Sequence, residues 1–255
     1  MKIRSSLVNR RSVIAGSIGA GLTLPLAMPA LGEEVCVKKP GTPPALEPER
    51  LLTDWAWLAR YRDENAQIIA SKTKVTAVFL GDSITEGWRE KQPDFFAKGN
   101  VCRGISAQTT PQMLVRMRAD VVDLFPRVVH IMAGTNDIAF NTGPMSADDT
   151  KRNIMALSDI ARANKIRVVL ASIPPAAFFP WRQGLETAST IIALNGWISG
   201  YAKATGAVYA DYHSAMSNGK GGMKPGLATD EVHPSEEGYA VMRPVAEQAI
   251  AAAIK

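Results

Sequence analysis

Residues 75–85 read VTAVFLGDSIT, a short apolar run rich in β-branched residues that ends in Gly81-Asp82-Ser83. Runs of this length, bounded by turn residues, are typical of buried strands. A glycine, an acid and a hydroxyl therefore follow directly on a predicted strand.

The chain repeats the same pattern, with short β-branched runs separated by longer amphipathic stretches. The predicted strands are Val75 to Leu80, Asn100 to Arg103, Val128 to Ala133, Arg167 to Ser172 and Val208 to Asp211. The predicted helices are Glu49 to Ala70, Pro111 to Leu124, Ala147 to Asn164, Leu185 to Thr205 and Ser235 to Ile254. Alternating strands and helices form βαβ units, so we predict one α/β domain with a parallel sheet over residues 49–255.

Polar segments follow several of the predicted strands. They are Gly81-Asp82-Ser83-Ile84-Thr85, Gly104-Ile105-Ser106-Ala107, Gly134-Thr135-Asn136-Asp137 and, after the last strand, Asp230-Glu231-Val232-His233-Pro234. Ligands of open parallel sheets bind outside the carboxyl ends of the strands. We therefore expect these segments to converge on one edge of the sheet.

A serine nucleophile needs a base within hydrogen-bond reach, and that base is usually an imidazole. The chain offers three histidines. His130 lies inside an apolar strand and is expected to be a core residue, while His213 has no acid three residues before it. His233 follows Asp230 by three residues, which favours it as the base.

In order and spacing, the four segments resemble the conserved blocks of the SGNH/GDSL hydrolases, from about Val75 to the C-terminus. The resemblance implies a three-layer α/β/α fold, with a flavodoxin-like, doubly wound parallel sheet of about five strands. It also implies a catalytic triad of Ser83, His233 and Asp230, in which the acid orients the imidazole. An α/β-hydrolase shares this residue order, but no Gly-x-Ser-x-Gly sequence surrounds Ser83.

By the same resemblance, the oxyanion donors are the backbone N–H of Ser83, the backbone N–H of Ala107 and the side chain of Asn136. Ala107 departs from the glycine usual in the family. We expect Ala107 to adopt a negative φ, because alanine resists positive values. Asp82 and Asp137 are expected to organise loops by capping backbone N–H groups rather than to react.

An apolar loop, Phe178-Phe179-Pro180-Trp181-Arg182, follows the fourth predicted strand on the same side. Phe178, Phe179 and Trp181 are therefore candidate substrate-binding residues. The loop could instead cover the core or contact a partner subunit.

These features predict a serine esterase that acts on carboxylic esters, with a short acyl group such as acetyl on a carbohydrate or small lipid-like substrate. Acyl transfer to a sugar hydroxyl and a binding module that has lost turnover stay open as alternatives. A metallohydrolase is disfavoured because a single Asp-x-x-His cluster is present. We expect no cofactor and no metal.

The N-terminus has the layout of an export signal. Basic residues including Arg10-Arg11 precede an apolar Gly- and Ala-rich segment, and small residues follow near position 32. We predict a signal peptide over residues 1–32 that resembles a twin-arginine signal, a linker over residues 33–48, and a periplasmic or secreted protein. An uncleaved membrane anchor is the alternative.

Composition is that of a soluble globular protein, since 46% of the residues are hydrophobic and 21% are charged. The net charge of +5 falls to about +1 without residues 1–32, and no basic run remains to indicate a nucleic-acid partner. Cys36 and Cys102 could form one disulfide in an oxidising compartment. Cys102 as a small buried residue is the interpretation we favour.

Overall fold

The structure is a computed structural model and describes residues 47–255. The predicted signal peptide, Cys36 and almost all of the predicted linker lie outside the described residues.

In the described part of the chain, five parallel strands form a single sheet in the spatial order β2-β1-β3-β4-β5. The strands are β1 (Ala77–Gly81), β2 (Asn100–Gly104), β3 (Val128–Ile131), β4 (Arg167–Ala171) and β5 (Val208–Ala210). In the register of β1, Ala77 pairs with Asn100 of β2 on one side and with Val128 of β3 on the other. This order is the flavodoxin-like one, so the predicted fold class is confirmed.

Ten α-helices connect and cover the strands within the described residues. They are α1 (Pro48–Thr53), α2 (Arg62–Ala70), α3 (Ser83–Lys91), α4 (Pro93–Phe96), α5 (Thr110–Asp120), α6 (Thr135–Ile138), α7 (Ala147–Ala163), α8 (Thr187–Thr205), α9 (Tyr212–Met216) and α10 (Glu236–Ile254). Helix α3 packs against α10 on one face of the sheet. Helices α5, α7 and α8 lie on the other face. There α5 packs against α7, and Arg162 of α7 donates a hydrogen bond to Tyr201 of α8. The result is three layers.

Aromatic side chains form the part of the core around β1. Phe79 of β1 contacts Trp88 and His130, with ring centroids 5.7 and 4.6 Å apart. His130 is fully buried, and its Nε2 atom lies 2.8 Å from the hydroxyl of Tyr212. Burial lowers the pKa of His130 to about 3, so this ring stays neutral and serves the core, as expected from its place in a strand.

One predicted helix is wrong in its extent. The pattern from Glu49 to Ala70 predicts a continuous helix, whereas the structure has α1 and α2 separated by an irregular segment over residues 54–61. The side chain of Asp54 accepts hydrogen bonds from the backbone N–H groups of Leu58 and Ala59, and Trp57 has a φ of 53°. Such Asx-type hydrogen bonds compete with the hydrogen bonds of a helix. Residues 54–61 also pack on the turn formed by residues 105–108.

The chain passes from β1 to β2 on one side of β1 and then crosses back to β3 on the other side. The strand order therefore changes direction between β1 and β3. Crevices form at this switch point, outside the carboxyl ends of the strands. Ser83 follows β1 and Asn136 follows β3, so both lie at the switch point.

Candidate active site

Ser83 is the first residue of α3 and is half-buried at the end of β1. The preceding Asp82 caps the helix, since its Oδ1 atom accepts the N–H of Ile84 at 3.0 Å. The first turn of α3 lies tightly against the end of β2. A Cβ atom on Gly104 would stand 2.2 Å from the backbone nitrogen of Glu86, so only glycine fits there.

Ser83 and His233 meet although 150 residues separate them in the chain. The Oγ atom of Ser83 lies 2.9 Å from the Nε2 atom of His233. On the other side of the ring, Nδ1 lies 2.8 Å from the Oδ2 atom of Asp230. A carboxylate only accepts hydrogen bonds, so it holds the ring proton on Nδ1 and leaves Nε2 to accept from the serine hydroxyl.

Asp230 also shapes the loop that carries His233. Its Oδ1 atom accepts the backbone N–H groups of Val232 and His233, each at 2.7 Å. Partial burial by itself would raise the pKa of Asp230, but these bonds and the one from the His233 ring outweigh it and lower the pKa. The carboxylate therefore stays ionised while it orients the imidazole.

The other two histidines are placed elsewhere. His130 is in the core beneath β3. His213 is half-buried on α9, where its backbone N–H donates to the hydroxyl of Ser172. Among the described residues, His233 is the histidine that hydrogen-bonds Ser83.

Ala107 has a φ of 64°, so the expectation of a negative φ is wrong. The turn explains the difference. The N–H of Gln108 bonds to the carbonyl of Ile105 at 3.3 Å, which closes a four-residue turn with Ala107 at its third position. The type II turn needs a positive φ at that position. The Ala107 N–H donates to no acceptor within the described residues, so it is available to a ligand.

The methyl group of Ala107 is buried in a small apolar cluster. Its neighbours there are Trp57, Tyr61 and Ile105. Segment 54–61 also holds the turn by hydrogen bonds, because the Gln108 side chain donates to the carbonyl of Ala56 at 2.7 Å. Burial of the methyl group gives a physical reason for alanine at this position.

Asn136 stands between the nucleophile's loop and the Ala107 turn. Its Nδ2 atom lies 3.1 Å from the carbonyl oxygen of Gln108 and 3.3 Å from the Oδ2 atom of Asp82. The structure thus brings the second and third segments against the first, as the sequence predicts. Three potential donors to an oxyanion, on Ser83, Ala107 and Asn136, lie in adjoining segments.

The two buried acids organise these segments. Asp82 caps α3 as described, and burial raises its pKa to about 6. Asp137 does not cap its own helix. It accepts hydrogen bonds from the backbone and side chain of Thr110 and from Thr150, which ties α6 to the starts of α5 and α7. Burial raises the pKa of Asp137 as well.

Arg116 was not singled out from the sequence, yet its fully buried guanidinium joins the ends of two strands. It donates to Gln108 Oε1 at 2.6 Å, Arg103 O at 2.8 Å, Gly81 O at 2.9 Å and Asp120 Oδ2 at 3.0 Å. The signal in the sequence was weak. Arg116 and Asp120 lie three residues after Met113 and Met117, on the apolar face of α5, where a charged pair indicates burial.

The apolar loop divides into exposed and buried members. Trp181 is 43% exposed, and its ring centroid lies 6.3 Å from that of His233. Phe178 is 46% exposed. Phe179 is fully buried, so its assignment as a substrate-binding residue is wrong. It stacks beneath Trp181 at 5.2 Å and supports that ring instead.

A shallow cleft of about 260 Å³ opens beside the nucleophile. Polar side chains of Ser83, Glu86, Ser106 and His233 line it, together with the ring of Tyr239. Within residues 47–255, no group of three His, Cys, Asp or Glu side chains is placed to hold a metal ion. No helix in that range is long and apolar enough to cross a bilayer. Cys102 is buried, and its thiol donates to the carbonyl of Thr85.

Comparisons with known proteins show the family and support the fold. The sequence profile of the GDSL-like Lipase/Acylhydrolase family matches residues 79–241. The fold is similar to that of a Bacteroides fragilis protein classed as an acylhydrolase, at 41% identity and a TM-score of 0.75, covering 79% of this chain and 99% of that one. It is also similar to a GDSL-like lipase from Bacteroides thetaiotaomicron, at 43% identity and a TM-score of 0.75, covering 78% and 100%.

A more distant likeness is to a catalytic mutant of an acetylxylan esterase from Geobacillus stearothermophilus. The identity is 19% and the TM-score 0.55, covering 69% of this chain and 94% of that one, a likeness of fold alone. The comparison with curated proteins gives no match.

Proposed function

Because the chain belongs to the GDSL-like lipase/acylhydrolase family, we propose that it is a serine esterase with Ser83 as nucleophile. The observation that carries the proposal is the continuous hydrogen-bonded line from Ser83 through His233 to Asp230, with distances of 2.9 and 2.8 Å. A serine hydroxyl aligned in this way on an oriented imidazole is the arrangement that nucleophilic acyl transfer requires.

In the acylation step, Ser83 Oγ attacks the ester carbonyl carbon, and its proton passes to His233 Nε2. The carbonyl oxygen becomes an oxyanion. Collapse of the tetrahedral intermediate breaks the bond to the alcohol oxygen, which takes the proton from Nε2 and leaves. Asp230 stabilises the imidazolium while it exists, without itself taking the proton.

In the deacylation step, a water molecule takes the place of the alcohol. It gives a proton to His233 Nε2 and attacks the acyl carbon on Ser83. The second tetrahedral intermediate then releases the carboxylic acid, and the proton returns to Ser83 Oγ.

The oxyanion is stabilised by the backbone N–H groups of Ser83 and Ala107 and by Asn136 Nδ2. Within residues 47–255, the Ala107 N–H carries no competing hydrogen bond. The contact of Asn136 Nδ2 with Asp82, at 3.3 Å, is the longer of its two bonds and is the one the oxyanion would replace. One such donor is worth about 3 kcal/mol of transition-state stabilisation.

A short acyl group fits this site best. The cleft beside Ser83 has a volume of only about 260 Å³, and polar side chains such as Glu86, Ser106 and Thr229 line it. Sites for long acyl chains are lined mainly by apolar side chains. The composition of the cleft therefore favours acetyl or a similarly small group.

The alcohol part of the substrate is proposed to be a carbohydrate. An exposed indole supported from below by Phe179 is suited to stack on a sugar face, and Trp181 lies beside the catalytic imidazole. The acetylxylan esterase with a similar fold acts on an acetylated polysaccharide by its name, and we extend acetylated carbohydrate to this chain as a proposal. Phe178, exposed on the same loop, is a second candidate contact.

We also propose that the enzyme is exported and acts in the periplasm or outside the cell. The support is the run of basic residues, apolar segment and small residues over residues 1–32. An acetylated polysaccharide is too large to enter a cell intact, so an exported enzyme suits that substrate.

The test is hydrolysis of p-nitrophenyl esters of two to eight acyl carbons, alongside acetate release from acetylated xylo-oligosaccharides. We expect the highest kcat/KM for acetate, and loss of nearly all activity in both Ser83→Ala and His233→Ala. The double variant should lose little more than either single one, because the two side chains act as a unit. A Ser83→Ala enzyme that keeps much of the wild-type kcat would contradict the mechanism.

A further inference from the structure

Asn136 has a hydrogen-bond partner on the side away from Gln108 and Asp82. Its Oδ1 atom accepts a hydrogen bond from Asn141 Nδ2 at 2.7 Å. Asn141 Oδ1 in turn accepts the indole N–H of Trp181 at 3.2 Å. An unbroken line of hydrogen-bonded side chains therefore runs from Trp181 of the apolar loop to the amide proposed to bind the oxyanion.

This line has a fixed polarity, because an indole nitrogen can only donate. Asn141 must turn its oxygen toward Trp181, and so its NH₂ group faces Asn136. Asn136 must then turn its oxygen toward Asn141, which directs its own NH₂ group toward the site. An amide rotated by half a turn would present an oxygen to the oxyanion and repel it.

The backbone around Asn141 supports the arrangement independently of its side chain. The N–H of Asn141 donates to the carbonyl of Asn136 at 3.1 Å. Arg182 Nε donates to the carbonyl of Ala139 at 2.9 Å, which ties the apolar loop to residues 136–141. Removing the Asn141 side chain therefore leaves both the turn and the loop attached.

We propose that Asn141 and Trp181 are positioning residues that hold the amide of Asn136 in the orientation that donates to the oxyanion. Two further acceptors, the carbonyl of Gln108 and the carboxylate of Asp82, face the NH₂ group of Asn136 and favour the same orientation. Asn141 adds the bond that restrains the oxygen end. The inference rests on the proposed esterase function for its kinetic consequence, but its geometry can be tested separately.

The kinetic test is a double-mutant cycle with p-nitrophenyl acetate. Asn141→Ala should lower kcat about fivefold, the usual effect of one lost hydrogen bond, with KM changed less than twofold. In an Asn136→Ala background, the same change should have no further effect, because the amide it positions is gone. Asn164→Ala, at the distant C-terminus of α7, is the matched control and should equal the wild type.

Two further variants separate positioning from packing. Trp181→Phe keeps the stack on Phe179 but removes the N–H, and we expect a smaller fall in kcat than for Asn141→Ala. Asn141→Asp cannot donate to Asn136 while ionised, so its kcat relative to the wild type should rise as the pH is lowered and the carboxyl is protonated. A merely structural role would not produce that pH dependence.

The direct test uses the indole ¹H–¹⁵N NMR signal of Trp181, assigned with Trp181→Phe. Asn141→Ala should shift this signal toward that of a free indole, whether or not the protein turns over esters. An unmoved signal overturns the inference. So does a fall in kcat that is equally large in the Asn136→Ala background. If the wild type hydrolyses no ester while the signal does shift, the proposed function fails and the positioning geometry stands.

Discussion

Asp230 contacts His233 through both of its carboxylate oxygens, one on the ring nitrogen Nδ1 at 2.8 Å and one on the backbone N–H at 2.7 Å. The same acid therefore bends the loop and orients the base. A substitution that keeps one of these functions and removes the other can separate them.

Asp230→Asn is that substitution. The amide oxygen of asparagine can still accept the N–H groups of Val232 and His233, so we expect the melting temperature to change by only a few degrees. Its NH₂ group would face Nδ1 and favour the wrong imidazole tautomer, so kcat should fall about 10³-fold or more. Thermal unfolding and steady-state kinetics on one preparation check both expectations. A kcat within tenfold of the wild type would show that the pairing does not orient the ring.

Ala107→Gly tests the turn in the oxyanion site. The backbone of Ala107 already has the positive φ that glycine would adopt, so the N–H direction should be preserved and kcat/KM should change by less than about threefold. Glycine has no strain in the left-handed conformation, which should stabilise the folded state by about 1 kcal/mol. Loss of the buried methyl group should destabilise it by about 0.8 kcal/mol. The free energy of unfolding should therefore change little.

The matched variant is Ala107→Val, whose branched side chain fits a positive φ poorly. It should lower kcat more than tenfold while KM changes little. A tenfold rise in kcat for Ala107→Gly would instead mean that alanine turns its N–H away from the oxyanion.

Arg116→Met should destabilise the protein by about 3 kcal/mol or more, because Asp120 would remain as a buried charge that has lost Arg116, its ion-pair partner. Gly81 and Gln108 lose the same donor, so we also expect a lower kcat in the protein that remains folded. Urea denaturation measures the first effect. Arg118→Met, in an exposed pair with Asp123, is the control and should cost less than about 0.5 kcal/mol. Equal losses in the two variants would contradict the importance of the buried network.

Asp82 should make the folded state less stable as the pH rises. Burial raises its pKa from 3.8 to about 6 in the folded protein, so the folded state binds more protons than the unfolded state between these values. The contribution of Asp82 to stability is thus greatest below pH 4, falls through pH 4 to 6, and is constant above.

Asp82→Asn removes this titration. The free energy of unfolding of the variant minus that of the wild type should therefore increase between pH 4 and 7, by at most about 3 kcal/mol. Denaturant unfolding of both proteins at several pH values gives this difference, in which the other titrating groups cancel. A difference that is flat with pH would show that Asp82 does not titrate in this range.

The proposed export predicts the mass of the mature protein. The intact mass from a native periplasm or culture medium should correspond to a chain that begins near Glu33. If the twin-arginine route is used, replacing Arg10 and Arg11 by Lys should retain the precursor in the cytoplasm. Full-length protein in the membrane fraction would instead support an uncleaved anchor.

The sequence by itself was enough to predict the strands, the parallel sheet and the segments that follow the strands. These depend on local periodicity and turn residues, which act over a few positions. The identities of Ser83, Asp230 and His233 also came from the sequence, because few side-chain types can perform nucleophilic catalysis and their spacing matched a known family. The structure brings all three into hydrogen-bond contact.

Tertiary structure alone decided the rest. The positive φ of Ala107 comes from a turn packed against segment 54–61. Phe179 is buried because it joins the hydrophobic core and stacks against Trp181. The contacts of Arg116 and Asn141 join groups on different segments. Such features depend on how side chains from distant segments pack, which local periodicity and turn residues do not specify.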